Sequence, residues 1–304
     1  MKRIFYIVLA LTLMLAPLAS CTDVQTPDDP TPDEQPPVEQ APDTPDTPDT
    51  PAEPDPAPTE PEKEEVKTPM TLKIGTFNIG NGSYVGHDLS VLANDITSQE
   101  LDIVGLQEVD RLANRSKNLD TLKVLSELTG MEYYYYAKAI DLPGNIPTYG
   151  QDGEYGIGIL SKYPITESES YQLNSGSREQ RMLARATVDL GGKTINFFTT
   201  HLSFEDDTLR AEQISQIDSI MWEYSRCILT GDFNLRKFSE LEEIAGVEMV
   251  NNKDNAIETY TKDDWNTKCI DNICYGSAFE LMDSYVNVNN HSDHYLFIAE
   301  FKIK

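Results

Sequence analysis

The sequence predicts a layered α/β sandwich with a single core, and three observations support this fold class. The chain has 304 residues, of which 39% are hydrophobic, and this is enough to fill a sizeable core. Short strand-like runs alternate with a few amphipathic helices after residue 70, and this pattern favours sheets packed in layers. Because the composition breaks once, where a Pro-rich segment ends at Pro69, we expect one domain over residues 70–304.

The individual elements follow from the hydrophobic pattern in chain order. Strands are predicted at 72–79, 102–109, 133–140, 155–160, 183–190, 194–202, 226–233, 269–275 and 295–303, and helices at 88–99, 119–129 and 208–224. The second helix is expected to end at Gly130. In the third helix, the apolar side chains from Ile214 to Tyr224 recur at helical spacing on one face.

The first 21 residues are predicted to be an export signal. Lys2 and Arg3 precede an apolar segment at 4–15, which is too short to span a bilayer comfortably. The run LASC at 18–21 resembles the lipobox of bacterial lipoproteins, in which cleavage before the cysteine leaves a thiol for a diacylglyceryl group. An ordinary secretory signal followed by a chance cysteine is the alternative. We favour lipid attachment at Cys21, and with it an extracytoplasmic location on a bacterial membrane.

Residues 22–69 are predicted to be a disordered stalk. This segment holds 14 of the 18 prolines and 15 acidic residues against two lysines, and the triplet PDT repeats three times at 42–50. Prolines favour an extended polyproline II conformation, like charges repel one another, and few apolar side chains are present to bury. We therefore interpret the segment as a spacer between the lipid-bearing end and the domain.

The distribution of charge excludes some classes of protein. The net charge is −27, of which the stalk carries −13 and residues 70–304 carry −16, while the first 21 residues carry +2. So acidic a domain does not favour binding nucleic acid through a broad basic surface, but it allows an enzyme that holds one or two phosphates locally. The composition also excludes fibrous, collagen-like and multi-pass membrane proteins.

The three cysteines of the predicted domain do not define a disulfide pattern. An odd number outside the cytosol excludes complete pairing, and Cys227 lies in an apolar run typical of a buried strand. A bridge between Cys269 and Cys274 and a pair of buried thiols are both compatible with the sequence.

Polar side chains of the metal-binding and proton-transfer types stand at the ends of predicted strands. They are Asn78, Glu108, His201, Asp232, Asn234, Asp271, Asp293 and His294. Because strand ends in an α/β protein converge on one rim, we expect these side chains to form a single site. Carboxylates and amides supply hard oxygen ligands, which favour Mg²⁺ or Mn²⁺ over zinc. The two histidines supply groups that titrate near neutral pH.

In this order the motifs resemble those of the endonuclease/exonuclease/phosphatase superfamily, the DNase I-like phosphoesterases, over nearly all of residues 71–304. The resemblance implies a four-layer α/β sandwich in which two packed mixed sheets are flanked by helices. It also implies that Asn78, Glu108 and Asp293 hold the principal divalent cation.

The resemblance further implies roles for the remaining polar residues. Asp232 and Asn234 would face the scissile phosphate or a second ion. His294, oriented by Asp271, would act as general base on water, although Asp232 is an alternative acceptor of the proton. His201 would stabilise the transition state or assist the leaving group.

Two further groups are candidates for contact with phosphate. Tyr155 matches the phosphate-contacting tyrosine of the family. Arg178, Arg181 and Arg185 form the strongest local positive cluster, and Arg181 is the candidate for a phosphate contact. A solvated strand face with salt bridges is the interpretation that we favour for these arginines.

Three functions are compatible with the sequence. The first is a Mg²⁺-dependent phosphodiesterase or phosphomonoesterase that acts on a small or lipid-derived substrate at the cell surface, and we favour it. The second is a tethered nuclease, for which nucleic acid would be a substrate only. The third is a non-catalytic binding module, which would be expected to have lost some of the catalytic-type residues, whereas all are present. We expect a monomer, with the membrane contacted through Cys21.

Overall fold

The structure is a computed structural model that describes residues 71–142, 152–263 and 267–304. The predicted signal at 1–21 with its lipid attachment site Cys21, and the predicted stalk at 22–69, lie outside the described residues. Within the described ranges, no helix is long and apolar enough to cross a membrane.

The described part of the chain contains twelve strands and three α-helices, together with short 3₁₀ turns. The strands are β1 (Thr71–Asn78), β2 (Ile103–Arg111), β3 (Tyr133–Leu142), β4 (Gly153–Ser161), β5 (Ile165–Leu173), β6 (Arg181–Asp189), β7 (Thr194–His201), β8 (Cys227–Asp232), β9 (Val247–Met249), β10 (Asp271–Gly276), β11 (Phe279–Asn287) and β12 (Leu296–Ile303). The helices are α1 (Leu89–Thr97), α2 (Thr121–Thr129) and α3 (Asp207–Met221).

The strands form two mixed sheets of six strands each. The first sheet has the order β11-β12-β1-β2-β4-β3 and the second has the order β5-β6-β7-β8-β10-β9. The β1–β2 and β7–β8 pairs are parallel, and the other pairs are antiparallel. β12 lies between β11 and β1, so that the last strand of the chain pairs with the first described strand.

The apolar side chains divide into three clusters, and these clusters define four layers. One cluster joins the inner faces of the two sheets and includes Ile74 and Phe197. A second packs α1 and α2 against the outer face of the first sheet, and a third packs α3 against the outer face of the second. The predicted four-layer α/β sandwich is therefore confirmed.

Side-chain caps fix where the three helices begin. Asp88, Asp120 and Asp206 each precede a helix and accept hydrogen bonds from its first free backbone N–H groups. Gly130 ends α2 with a φ of 70°, which glycine adopts without steric cost. All three predicted helices are confirmed, with ends that differ by at most three residues.

The sequence prediction missed β5, β9 and β11, and all three are edge strands. An edge strand has one hydrogen-bonded neighbour and a larger solvent-exposed surface, so its apolar pattern is weak. β5 is exposed over most of its length, and β9 has three residues. The central strands, which are buried on both faces, carried the strong signal.

All three cysteines of the described residues are free and buried. Of the two alternatives that the sequence left open, the structure therefore contains buried thiols rather than a Cys269–Cys274 bridge. Burial raises the pKa of the Cys274 thiol to about 12, so this thiol stays protonated at neutral pH.

The two sheets approach each other closely at Gly105 in β2. A methyl group at this position would overlap the hydroxyl oxygens of Thr199 and Thr230, which belong to the opposite sheet. Beside this contact, the Gln107 amide donates hydrogen bonds to Thr199 Oγ1 (2.9 Å) and Thr76 Oγ1 (3.2 Å). Polar bonds thus cross the sandwich near the rim that carries the candidate site.

We predict that Gly105→Ala destabilises the protein by about 1–3 kcal/mol, because the added methyl group overpacks the interface between the sheets. Gly276→Ala is the matched control, since its methyl group would meet its nearest neighbour at 3.5 Å, an ordinary contact. Denaturant unfolding of the two variants measures the difference. Equal free energies of unfolding would contradict the close approach of the sheets.

Candidate active site

The predicted site residues meet at one rim of the sandwich. β7 and β8 are parallel and end there, with His201 paired to Asp232. β10 runs antiparallel to β8 and begins there, with Asp271 paired to Asp232. His294 precedes β12, whose N-terminal end lies at the same rim because β12 is antiparallel to β1. The site therefore receives side chains both from the ends of parallel strands and from the beginnings of antiparallel strands.

Asn78, at the end of β1, connects the two sheets. Its side-chain N–H₂ group donates to Glu108 Oε1 (3.2 Å) in the first sheet and to Asp232 Oδ2 (3.0 Å) in the second. Its Oδ1 accepts a hydrogen bond from the backbone N–H of Gly80 (3.1 Å). This buried amide thus fixes the positions of two carboxylates.

Glu108 lies inside a strand rather than at its end, so the expectation from sequence was wrong on this point. β2 continues to Arg111, and its pairing with β4 shifts register between Leu106 and Val109. Glu108 occupies this bulge with a φ of 56°. Bulges redirect side chains relative to the regular pleat. The bulge is therefore the local feature that turns Glu108 toward the site.

Two histidines and two aspartates form a connected cluster at the bottom of the site. The His294 ring contacts Asp271 Oδ2 through Nδ1 at 2.8 Å. Asp232 Oδ2 lies 3.6 Å from His294 Nε2 and 3.4 Å from His201 Nε2. All four side chains are buried, so solvent screens these interactions little.

The environment shifts the pKa values of the two histidines in opposite directions. Burial and the positive charges of Arg181 and His294 lower the pKa of His201 well below its usual value. Burial also acts to lower the pKa of His294, but the carboxylates of Asp271 and Asp232 raise it above the usual value overall. Burial raises the pKa of Asp232. In the metal-free protein, His294 therefore holds the proton and His201 is neutral near pH 7.

A segment that the sequence analysis missed supports this cluster. Thr259 Oγ1 accepts a hydrogen bond from the backbone N–H of Asp271 (3.1 Å). Thr261 donates through its N–H (2.8 Å) and its hydroxyl (2.9 Å) to the carbonyl oxygen of Asp293. The Tyr260 ring packs against His294 with a centroid distance of 4.9 Å. Thr and Tyr have many uses in proteins, so the sequence offered no specific signal for this role.

Asn234 and Tyr155, two of the predicted site residues, both lie at the site. Asn234 has a φ of 51°, and its N–H donates to Asp232 Oδ1 (3.0 Å) while its side chain donates to the Leu202 carbonyl (2.9 Å). The turn after β8 thus holds Asp232 in place. Burial raises the pKa of Tyr155 well above its usual value, so its phenol stays neutral.

The interpretation of the arginine cluster as a solvated strand face with salt bridges is wrong about solvation for Arg181 and Arg185, although both form the predicted salt bridges. Arg181 and Arg185 are buried, whereas Arg178 is exposed. Arg185 lies under the Tyr224 ring, with its guanidinium carbon 4.5 Å from the centroid. Arg181 pairs with Glu179 Oε1 at 2.8 Å. The half-buried Tyr224 ring and partly or largely exposed carboxylates compensate these cations, and the strand sequence alone does not show such partners.

The cluster opens into a cavity of about 520 Å³. Of the predicted site residues, eight line this cavity: Glu108, Tyr155, Arg181, His201, Asp232, Asn234, Asp293 and His294. Asn78 and Asp271 contact these residues from behind. The lining residues that the sequence analysis did not select are Asn81, Arg115, Ile140, Leu142, Glu179, Phe204, Tyr260 and Ile270.

The two six-stranded sheets and this rim of carboxylates and imidazoles define a DNase I-like α/β sandwich. Residues 75–294, more than half of the chain, match the sequence model of the Endonuclease/Exonuclease/phosphatase family, and the protein belongs to this family. Members of the family are hydrolases of phosphoester bonds and use divalent metal ions.

Solved structures share the fold at low sequence identity. An endonuclease/exonuclease/phosphatase from Beutenbergia cavernae DSM 12333 is 19% identical, with 77% of this chain and 72% of that chain covered and a TM-score of 0.64. A mannosyl-6-phosphatase from Bacteroides thetaiotaomicron VPI-5482 is 18% identical (76% and 99% covered, TM-score 0.54). D. rerio TDP2, solved with a single-strand DNA product, is 19% identical (76% and 99%, TM-score 0.59). No curated protein matches the chain significantly.

We predict that His294 stays protonated through neutral pH in the metal-free protein while His201 stays neutral. Asp271→Asn removes a charge that raises the pKa of His294, so the His294 ring should lose its proton at lower pH in this variant. A pH titration of the imidazole ¹⁵N shifts measures both effects. Titration of both rings near the ordinary value of about 6.5 would contradict the prediction.

Proposed function

We propose that the protein is a divalent-metal-dependent phosphoesterase that hydrolyses a small or lipid-derived phosphoester through attack by water. The observation that carries the proposal is the buried cluster of Asp271, His294, Asp232 and His201 at the bottom of a cavity of about 520 Å³. Membership of the family supports the reaction class. We assign the residue roles as part of this proposal.

The donor set fits a hard divalent cation. Glu108 and Asp293 both line the cavity, and Asn78 Oδ1 has a second lone pair beside the one that accepts from Gly80. Burial and the charge of Asp293 raise the pKa of Glu108, although the hydrogen bond from Asn78 opposes them. Partly desolvated carboxylates of this kind are stabilised by a cation. We assign Glu108, Asp293 and Asn78 as ligands of Mg²⁺ or Mn²⁺, which when bound would neutralise charge on a phosphate oxygen.

A second group of potential ligands, Asp232, Asp271 and His294, has donor atoms within 4.8 Å of one another. We prefer the first set for a physical reason. A cation among the second three would compete with the 2.8 Å contact between His294 Nδ1 and Asp271. Asp271 is also completely buried, whereas Glu108 and Asp293 are partly exposed in the cavity.

In the proposed mechanism, Asp271 fixes the tautomer and orientation of His294. The Nδ1–H of His294 donates to Asp271, so Nε2 faces Asp232 and the cavity. Either His294 Nε2 or Asp232 then accepts a proton from the attacking water, and Asp232 holds that water in line. A cation nearby would weaken the effect of Asp232 on His294 and bring the pKa of the imidazole closer to neutrality.

Neutral His201 is suited to a different role. Its low proton affinity prevents it from competing for the proton of the water, and its ring nitrogen lies beside Asp232. We assign it to hydrogen bonding with the phosphoryl or leaving-group oxygen. Asn234 and Tyr155 supply neutral donors to the phosphate from the opposite sheets of the sandwich.

The shape of the cavity supports a small or lipid-derived substrate. Ile140, Leu142, Phe204 and Ile270 contribute apolar walls, and Phe204 is half exposed. A concave cavity with apolar walls and convergent polar groups is typical of small-ligand sites. The acidity of residues 70–304 weakens a nuclease interpretation modestly, and the experiment below tests that alternative directly.

We predict that His294→Ala and Asp232→Ala each lower turnover at least about 100-fold, because each removes a proton-transfer or water-positioning group. Thermal stability should change little. Asp254→Ala is the control, since this exposed carboxylate pairs with Lys253 outside the cavity. A variant that loses its fold would show that the residue is structural, and unchanged turnover would contradict the assigned role.

The substrate class is tested with the purified protein and Mg²⁺, with and without a chelator, on plasmid DNA, phospholipid vesicles and a chromogenic phosphodiester. Chelator-sensitive hydrolysis of the diester or lipid with intact DNA supports the proposal. Chelator-sensitive nicking of DNA that is absent in His294→Ala would replace it with a tethered nuclease. No cleavage of these diesters or of a chromogenic phosphomonoester would favour a binding module.

We also propose that a lipid at Cys21 anchors the protein to a bacterial membrane, on the basis of the lipobox-like LASC run. Cys21→Ser should move the protein from the membrane fraction to the soluble fraction of a bacterial host and abolish labelling by radioactive palmitate, because it removes the acylated thiol. Cys269→Ser is the control and should remain in the membrane fraction. Persistence of Cys21→Ser in the membrane fraction with label would contradict the anchor.

A further inference from the structure

The cavity wall carries two guanidinium groups that the proposed mechanism leaves without a role. The first belongs to Arg115, which follows β2. Its Nε and Nη2 bond both oxygens of Asp110, at 2.8 and 2.7 Å, and Asp110 is completely buried. The guanidinium lies over the Tyr155 ring, 5.3 Å from the centroid. These contacts fix the plane of the guanidinium group. The N–H donors on its other edge remain available to a ligand in the cavity that Arg115 lines.

The second group belongs to Arg181, at the start of β6 in the opposite sheet. The residue is 3% exposed, and its only carboxylate partner among the described residues is Glu179. Its Nε is buried and has no hydrogen-bond partner in that part of the chain. A buried cation with an unsatisfied donor is costly unless an anion completes its bonding. Arg181 also lines the cavity, so an anion bound there would lie beside this cation.

Both arginines converge on Tyr155. Arg115 stacks over the Tyr155 ring at 5.3 Å, and Arg181, Tyr155 and His201 together line a second, small cavity. The subsite therefore lies beside the catalytic cluster rather than apart from it. The neutral Tyr155 phenol supplies a further donor to an anion bound in the same cavity.

We propose that Arg115, Arg181 and Tyr155 form a subsite for the non-bridging oxygens of a terminal phosphate, so that the natural substrate is a phosphomonoester rather than a phosphodiester. The inference rests on the proposed function. A monoester dianion presents three non-bridging oxygens, whereas a diester presents two and carries one charge less. Guanidinium groups match phosphate oxygens in pairs and favour the more highly charged species.

The charges in the cavity explain why two arginines would be needed. Glu108, Glu179, Asp232 and Asp293 all line it. These carboxylates repel a dianion more strongly than a monoanion, and a divalent cation offsets only part of that repulsion. Hydrolysis forms one P–O bond to water and breaks the P–O bond to the alcohol, and the water proton ends on the alcohol oxygen. The charge of the phosphate thus stays in the subsite throughout.

Two substrates with the same leaving group separate monoester from diester recognition. p-Nitrophenyl phosphate and methyl p-nitrophenyl phosphate differ by one methyl ester, which removes one charge and one free oxygen. With Mg²⁺, the full-length protein should give the higher kcat/KM for the monoester after correction for the uncatalysed rates. An equal or higher value for the diester would overturn the proposal.

The variants test whether the arginines cause the preference. Arg181→Gln and Arg115→Gln should each lower kcat/KM for the monoester by about 10- to 100-fold more than for the diester, since each removes a charged hydrogen bond that the diester uses less. Arg178→Gln replaces an exposed neighbouring arginine that does not line the cavity and should leave the ratio unchanged. His294→Gln should lower kcat/KM for both substrates by the same factor.

A binding measurement keeps the test valid if Arg181→Gln unfolds. Inorganic phosphate should raise the melting temperature of the wild-type protein, and Arg115→Gln, at a side chain that is 44% exposed, should reduce that rise. The subsite would be overturned if the arginine variants lost kcat/KM equally for both substrates. It would also be overturned if Arg115→Gln left the phosphate-induced rise in melting temperature unchanged. Failure of wild-type protein to hydrolyse either substrate while phosphate still binds would instead count against the proposed function.

Discussion

The candidate site depends on the packing of one sheet against the other, because each sheet contributes half of its polar groups. The Asn78 amide bonds a carboxylate from each sheet, and the contact between His294 and Asp271 also joins residues from both. The distance between the sheets therefore sets the geometry of the site. Gly105 permits the close approach that keeps these hydrogen bonds short. A rigid core thus serves as the positioning device for side chains that share no strand.

Burial gives similar side chains different properties in this site. His201 and His294 both contact Asp232, but only His294 has a second carboxylate, Asp271, against its ring. The two imidazoles consequently differ in which protonation state they favour. Burying several charges in one place opposes folding, so the surrounding sandwich has to supply the compensating stability. Strongly perturbed proton affinities inside a cavity are typical of functional sites.

The sequence predicted the central strands, the helices and most of the site because these parts carry strong local signals. Alternating or continuous apolar runs mark buried strands, and Asp or Gly marks the helix ends. Three of the four edge strands, β5, β9 and β11, escaped prediction because solvent exposure weakens their apolar pattern. The bulge at Glu108, the burial of Arg181 and the support from Thr259 depend on partners distant in the chain. Arg115 was missed for the same reason, since its role depends on Asp110 and Tyr155 together.

The insertion of β12 between β11 and β1 has a consequence for the order in which the protein matures. The first sheet stays incomplete until the C-terminal strand is available, and His294 stands just before that strand. During synthesis, a chain that does not yet include residues 294–303 would hold neither the complete first sheet nor the full cluster. Pairing between such distant segments also slows folding, since a long loop has to close first. The topology therefore delays catalytic competence until β12 has been synthesised.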